Sequence, residues 1–465
     1  MAQPTVTPIT TYDVVNTNNP GLHRPDVLKK LVEKYPGSYG RNMMQFYDSM
    51  GFSMEANNVT FEWWETDFIQ SELEVEATGY GPAAGPGLGL TVTLAAASHD
   101  ASGTRSPMQQ DDTLLIKSGV DIIPVRIRAV NKTVNNAHTF TIYPQEDGDT
   151  IPAIAGGDKL FLASRQRAEG VGQPEGKTPV LTKYDNDLEI IDASYRITGT
   201  EMKVKIWPQV QTAGDGGIKY PSGASVPAGG NYIFVKGADE SYWNYEDAKD
   251  NALLHHKRTD NFFNMGDTAR STNGLIPEII AGGNTWSWSP GNISIQWIDQ
   301  LTKQIKRKFG AKNYHCWLGI DLYQELQNFF ATAFTNGGIN YASFLSREDV
   351  ALAYKFRSFK KTEIQFNFKE YEKWNHPKTF GNTNYRFSEM GLFIPTDTVM
   401  DPKTNVTTPG MCLRYLPGRK NFQWSTGAWS SQNKTEIDEL NIHWKCEIGI
   451  MVPARNRYWL IRPSS

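Results

Sequence analysis

Residues 61–81 read FEWWETDFIQSELEVEATGYG, and the character of the chain changes within this stretch. Trp63 and Trp64 lie between the carboxylates Glu62 and Glu65, and SELEVEATG then alternates between polar and apolar residues as a strand does. Paired carboxylates beside aromatic surfaces are typical of sugar-cleaving enzymes, so one hypothesis is a carbohydrate-active enzyme that uses Glu62 or Glu65. Such enzymes usually draw their two carboxyls from different strands or loops, so this local pair is weak support for catalysis.

The sequence after this stretch indicates a separate β-rich module. Five short runs rich in β-branched or aromatic residues follow between residues 90 and 165: LTVTLAAAS, DTLLIKSG, DIIPVRIRAV, HTFTIYP and DKLFLAS. Gly- and Pro-containing linkers, GPAAGPGLG and EGVGQPEGK, border this segment on both sides. The pattern predicts a compact β-barrel or small sandwich of about 80 residues, inserted into another structural element.

The rest of the chain combines helices and strands. A helix is predicted over residues 244–264, with Asn244 as its N-cap. SIQWIDQLTKQIKRKFG and DLYQELQNFFATAF predict two further amphipathic helices, separated by the buried-strand candidate YHCWLGI. Runs with a period of two, such as TEIQFNFKEY and KCEIGIMVP, dominate after residue 350. We therefore expect an α+β fold, preceded by an N-terminal arm rich in Thr, Asn and Pro.

Composition and motifs argue against most catalytic and binding classes. The formal net charge of the 465-residue chain is −3, whereas a dedicated nucleic-acid binder is normally strongly basic. Its three cysteines form no CxxC pair, which favours a reducing compartment. The histidines lack metal-ligand spacing and no phosphate-binding glycine motif is present, so we expect no metal and no cofactor. No signal-peptide pattern and no long apolar run occurs, so no membrane association is expected.

The order of these segments resembles that of the major capsid proteins of tailed bacteriophages with the Hong Kong 97-like fold. NNVTFEWWETD resembles the run that leads into the extended loop of these proteins, and LEIIDASYRITGTEMKV resembles the return from that loop. STNGLIPEII is similar to the start of the axial domain, and IHWKCEIGIMVPARNRYWLIRP is similar to the closing strands. Size, composition and the N-terminal arm are also similar to capsid proteins of crAss-like phages.

The resemblance implies that the chain has the same division into parts as a capsid subunit with the Hong Kong 97-like fold. The implied parts are an N-terminal arm (1–55), an extended loop (66–187) carrying a β insertion domain (85–168), a peripheral domain (188–274) with its spine helix at 244–264, an axial domain (275–425), and return strands of the peripheral domain (426–465).

The resemblance also implies a function. The chain would self-assemble, as hexamers and pentamers, into the icosahedral head shell that encloses the double-stranded DNA of a tailed phage, and it would not be an enzyme. It would be found in the virion after assembly in the cytoplasm of a bacterial host, with portal, scaffolding and head-decoration proteins as further partners. A tail or receptor-binding protein is the alternative virion component, although no internal repeat supports it.

The candidate site residues take structural roles in this interpretation. Trp63 and Trp64 would anchor the base of the extended loop. Glu62 and Glu65 would form charge pairs, either within the subunit or with a neighbouring copy. The expected functional sites are therefore contacts between copies and not a catalytic centre.

One basic segment is a candidate contact with packaged DNA. KQIKRKFGAK contains Lys303, Lys306, Arg307 and Lys308 close together on a predicted helix. A basic run of this kind is usually a solvated helix face. The alternative is a genome-facing basic patch that makes weak, non-specific contacts with DNA phosphates.

Overall fold

The structure is a computed structural model of the chain. The residues that it describes are 43, 48, 51–66, 72–99, 105–118, 121–146, 148–166, 169, 181–203, 218–219, 225–226, 232–258, 270–336, 358–375, 386–397, 399–400, 407–408, 410–430 and 432–464. The chain divides into two compact units, which we call the smaller unit (62–184) and the larger unit (1–61 with 185–465). Most of the predicted N-terminal arm (1–55) lies outside the described residues.

The described chain up to residue 187 consists mainly of strands. In chain order they are β1 (Ser53–Glu55), β2 (Thr60–Thr66), β3 (Glu72–Glu74), β4 (Leu90–Thr93), β5 (Asp112–Ser118), β6 (Asp121–Asn131), β7 (Thr139–Pro144), β8 (Lys159–Arg165) and β9 (Leu181–Asp187). An antiparallel six-stranded sheet has the order β3-β8-β5-β6-β7-β4. The five runs predicted between residues 90 and 165 are confirmed as strands, and β3 is a sixth member of their sheet.

The smaller unit has its own apolar core. Side chains alternate between the two faces of a strand, so Leu114 and Ile116 of β5 are both buried while Leu115 between them is partly exposed. Val75 and Leu94, just beyond the ends of β3 and β4, form an antiparallel bridge. The two outer strands of the sheet are therefore also joined to each other.

The larger unit mixes helices with strands. Its further elements in chain order are β10 (Glu189–Thr198), α1 (Gly199–Lys203), β11 (Ile218–Lys219), β12 (Ser225–Val226), α2 (Tyr232–His255), α3 (Leu275–Ala281), β13 (Thr285–Trp288), α4 (Ile295–Arg307), β14 (Asn313–Leu318), α5 (Ile320–Asn336), β15 (Ser358–Lys361), β16 (Ile364–Glu370), β17 (Gly391–Pro395), β18 (Val399–Met400), β19 (Thr407–Thr408), β20 (Cys412–Tyr415), β21 (Phe422–Thr426), β22 (Glu439–Met451) and β23 (Trp459–Pro463). The described chain is thus mostly β with few helices.

Two sheets organise the larger unit. The first has the order β1-β20-β22-β10, and β21 pairs with the remaining part of the long β22. The second has the order β13-β23-β17-β14-β16-β15 and mixes parallel with antiparallel pairs. Leu301 and Ile305 of α4 and Phe330 of α5 pack with Tyr314 of this sheet in one core cluster. The neighbouring Trp317 belongs to a second cluster, shared with α2, α3 and the first sheet.

The long helix α2 corrects the prediction for residues 244–264. It begins at Tyr232 and ends at His255, so Asn244, predicted as the N-cap, lies inside the helix. The prediction relied on this capping residue and missed the turns before it, which contain Gly237, a poor helix former. Gly237 lies against the Tyr195 ring of β10, where a Cβ would approach Cε2 to 2.7 Å. The glycine therefore permits close packing of the helix on the sheet, while residues 259–264 lie outside the described residues.

Candidate functional site

Strand β2 separates the four candidate residues of the opening stretch. Phe61 and Trp63 are buried on one face, whereas Glu62 is exposed on the other, where Trp64 is 61% exposed. Glu62 and Glu65 are an odd number of positions apart in a strand and therefore point to opposite faces. Because they cannot flank one glycosidic bond from opposite faces, the geometry argues against the carbohydrate-active hypothesis.

Both carboxylates have partners within the smaller unit. Glu62 forms an ion pair with Lys183 of β9 at 2.6 Å, and the Trp63 indole nitrogen donates to Glu65 Oε1 at 2.8 Å. The Trp63 ring also stacks on Tyr184, with ring centroids 5.8 Å apart. Strands β2 and β9 form a two-stranded sheet, which we call the ribbon. Ring packing stabilises one face of the ribbon, and a charge pair lies on the other.

The part of the ribbon that belongs to the larger unit is held by a polar cluster that sequence patterns did not reveal. Thr60 Oγ1 donates to Asp187 at 2.6 Å, and the Arg258 guanidinium pairs with the same carboxylate at 2.9 Å. Asn186 is buried and donates from Nδ2 to the Ile450 carbonyl oxygen of β22 at 2.8 Å. The polar run YDND at the end of β9 is the sequence signal that could have indicated this cluster.

A histidine–carboxylate pair lies beside this cluster. His256, just after α2, places Nδ1 at 2.8 Å and 3.0 Å from the two carboxylate oxygens of Glu189 on β10. This hydrogen bond raises the pKa of His256, although partial burial acts in the opposite direction. The adjacent His255 differs, because burial lowers its pKa to about 4. Two neighbouring histidines at the end of one helix therefore protonate in different pH ranges.

The basic patch predicted on α4 is divided by the structure. Lys303, Lys306 and Arg307 are exposed. Lys308 does not belong with them, because its Nζ donates to the Gly283 carbonyl oxygen at 3.0 Å and thereby joins two loops of the larger unit. The sequence could not show this difference, since the partner of Lys308 is distant along the chain. The candidate patch is therefore reduced to the three exposed cations.

The cysteines of the chain are buried. Cys316, Cys412 and Cys446 are all free thiols, and burial raises the pKa of Cys412 and of Cys446 to about 11. Thiols in this state are poor nucleophiles at neutral pH. Among the described residues, no group of three or more His, Cys, Asp or Glu side chains is arranged to hold a metal ion. Within the described ranges, no helix has the length and apolar character needed to cross a membrane.

The family of this chain follows from a match that includes the ribbon, α2 and α4. A family model described as SU10 major capsid protein matches residues 38–372, which is more than half of the chain. This chain belongs to the SU10 major capsid protein family. It is a phage major capsid protein, the structural component that forms the head shell, and its place is in the capsid of the virion. Copies of the capsid protein therefore associate with one another.

Solved structures with low sequence identity are similar to the capsid protein over almost its whole length. A structure from Microbacterium phage Oxtober96 has a TM-score of 0.40 and 8% identity, covering 97% of this chain and 100% of that chain. One from Mycobacterium phage Bobi has a TM-score of 0.40 and 7% identity, covering 97% and 99%. The capsid of a native GTA particle gives a TM-score of 0.38 and 7% identity, with coverage of 97% and 99%. No curated protein sequence matches. The family match, and not these similarities, identifies the chain.

Proposed function

We propose that the capsid protein assembles, as hexamers and pentamers, into an icosahedral shell around double-stranded DNA, with a subunit of the Hong Kong 97-like type. The ribbon is the observation that carries this proposal. Its larger-unit part is held by buried polar contacts, while its smaller-unit part exposes Trp64. An anchored segment with an exposed aromatic side chain suits contact with another copy, because aromatic residues contribute strongly to protein interfaces. The protein then acts through contacts between copies and not by turnover of a substrate.

The proposed subunit keeps the implied division of the chain. It consists of an N-terminal arm (1–55), an extended loop (66–187), a peripheral domain (188–274, with return strands at 426–465) and an axial domain (275–425). Helix α2 takes the place of the predicted spine helix. The insertion domain (85–168) is a small β-barrel in this proposal, which the bridge between Val75 and Leu94 supports because it joins the outer strands of the sheet.

The two tryptophans have different roles in the proposal. Trp63 anchors the ribbon from inside, since it is buried, stacks on Tyr184 and donates to Glu65. Trp64 makes the contact with the neighbouring copy. Glu62 contributes to the polar surroundings of that contact, where charged groups set specificity more than affinity.

Further partners follow from the same proposal. Lys303, Lys306 and Arg307 face the genome and make weak, non-specific contacts, while confinement by the shell holds most of the DNA, as a net charge of −3 suggests. Portal, scaffolding and head-decoration proteins complete the head, which assembles in the cytoplasm of the host bacterium. The source phage is crAss-like in this proposal.

Electron microscopy of the expressed full chain, alone and together with the scaffolding protein of the same phage, tests the proposal. We expect closed icosahedral shells or separate hexamers and pentamers. Trimers, or rings without shells, would favour a tail or receptor-binding protein instead. Monomers under all conditions would contradict the proposal.

A further inference from the structure

Strand β10 (Glu189–Thr198) lies at one end of the first sheet of the larger unit. Its neighbour in this sheet is β22, with which it pairs antiparallel at all ten of its positions without a bulge. The end strands β1, β13 and β15 of the two sheets are much shorter, with three or four residues each. Among the described residues, β10 is therefore a long and regular strand whose second edge carries no further strand.

The edge of β10 lacks the features that normally prevent the addition of another strand. Proteins protect such edges with proline, lysine, a bulge or an inward-pointing charge. The sequence of β10, EIIDASYRIT, contains neither proline nor lysine, and its pairing with β22 is regular. Between residues 191 and 197 the side chains that face the core are Ile191, Ala193, Tyr195 and Ile197, which belong to or pack against the cluster that includes α2. The edge is thus suited to strand addition.

The charges on the outer face of β10 match those of a second copy of the same strand. Asp192, Ser194 and Arg196 are exposed on this face. If two β10 strands pair antiparallel about a two-fold axis through Ser194, Asp192 of each copy lies opposite Arg196 of the other. The Arg196 side chain is 67% exposed although it already pairs with Glu439 at 2.6 Å. Because a guanidinium group has five N–H donors, it can also receive the carboxylate of the second copy.

The inner face of β10 is complementary in the same arrangement. Ile191 of each copy lies opposite Ile197 of the other, and the small Ala193 lies opposite the large Tyr195. Other arrangements lose the charge match: a shift by two residues places Asp192 opposite a hydroxyl side chain, and parallel pairing in register places like charges side by side. The sequence of β10 therefore favours one antiparallel register with itself.

We propose that β10 is a contact between two copies of the capsid protein, in which the two strands pair antiparallel about Ser194 and continue one sheet across the contact. The inference rests on the association of copies and deepens the proposed function, because it names a contact surface separate from Trp64. Residues 191–197 of each copy take part, which is fewer than the roughly 20–30 residues a side of a stable interface. The β10 contact therefore acts together with the other contacts of the shell.

Disulfide cross-linking with diamide tests the register of the β10 contact. In the variant S194C the two thiols face each other across the two-fold axis, with Cα atoms about 4.5–5.5 Å apart, which a disulfide can bridge. The matched control D192C changes an exposed residue of the same face, but its two thiols would be about 14 Å apart along the strands. We expect a disulfide-linked dimer from S194C, and none from D192C or from the wild type, whose cysteines are buried. Equal dimer yields from S194C and D192C would overturn the proposal.

The charge match is tested by a second change at Asp192. The variant S194C/D192R places an arginine opposite Arg196 twice in each contact, so its dimer yield should fall about three- to tenfold relative to S194C. The variant S194C/D192E keeps the negative charge and should retain the yield. A yield that is unchanged by D192R would overturn the proposal.

The cross-linking is carried out on assembled particles and on concentrated unassembled full-length subunits. Mass spectrometry of the linked peptides should find residue 194 joined to residue 194 of a second copy. A link to a native cysteine or to another virion protein would assign the edge to a different strand and overturn the proposal, as would the absence of S194C dimers from both preparations. Shell formation by the wild type is scored separately by electron microscopy. Absent shells refute the proposed function, whereas normal shells without S194C dimers refute this inference alone.

Discussion

Trp63 and Trp64 are adjacent, but replacing each by alanine should affect different properties. Trp63→Ala should mainly lower the stability of the subunit, and Trp64→Ala should mainly weaken its assembly. Trp63 is 8% exposed, donates to Glu65 and stacks on Tyr184, so Trp63→Ala removes a buried ring and leaves a cavity. Changes of this kind cost about 3–5 kcal/mol. Trp64 is 61% exposed, so Trp64→Ala should change the stability of the isolated subunit by no more than about 0.5 kcal/mol.

Assembly, in contrast, should be weakened more directly by Trp64→Ala than by Trp63→Ala. If Trp64 is a central contact between copies, its truncation costs about 2 kcal/mol or more per contact, which weakens each association about 30-fold. Trp64→Phe keeps an exposed apolar ring and serves as the control, with assembly close to that of the wild type. Trp63→Ala should assemble poorly only to the extent that the ribbon is unfolded.

Two assays separate these effects. Urea unfolding of unassembled subunits gives the free energy of unfolding, and light scattering with electron microscopy gives the extent of shell formation. The reasoning is refuted if Trp64→Ala forms shells as the wild type does. It is also refuted if Trp63→Ala unfolds at the same urea concentration as the wild type.

Two further outcomes follow from the structure. The pKa of His256 is raised by its hydrogen bond to Glu189, so the stabilisation from this pair should be fully present below about pH 6.5 and lost as the pH rises through the folded-state pKa. The difference in unfolding free energy between wild type and His256→Gln should therefore be largest in mild acid, and a difference that grows with pH would contradict this assignment. Gly156→Ala would place a Cβ against the backbone oxygen of Ala77 and should destabilise the smaller unit by about 1–3 kcal/mol. Gly148→Ala, where a Cβ meets nothing within 4 Å, should be nearly neutral in the same thermal unfolding experiment.

Elements with a clear local pattern were predicted well from the sequence. The five strands between residues 90 and 165 were identified because β-branched and aromatic residues recur between turn-forming residues. Helix α4 was identified because its apolar residues recur at helical spacing. The start of α2 was missed because Gly237 has low helix propensity. Glycine suits this position because the helix lies close to the Tyr195 ring, which belongs to another element. A propensity argument does not include such a contact.

The candidate site was predicted less completely than the fold. The sequence indicated the tryptophan–glutamate run, but it did not show that Glu62 pairs with Lys183 or that Asn186 bonds Ile450, because these partners are far apart along the chain. It also grouped Lys308 with three cations that are exposed, whereas Lys308 bonds a distant carbonyl group. These contacts are specified by how strands and loops meet in space.

The sequence by itself determined the strand character of residues 60–66, the amphipathic face of α4 and the family to which the chain belongs. Only the tertiary structure decided that Trp63 is buried while Trp64 is exposed, and that Phe309 takes the left-handed position next to Gly310. The physical reason is the same in each case. Periodicity and capping depend on neighbours within a few residues, whereas burial and backbone strain depend on residues from distant segments that pack at the same place.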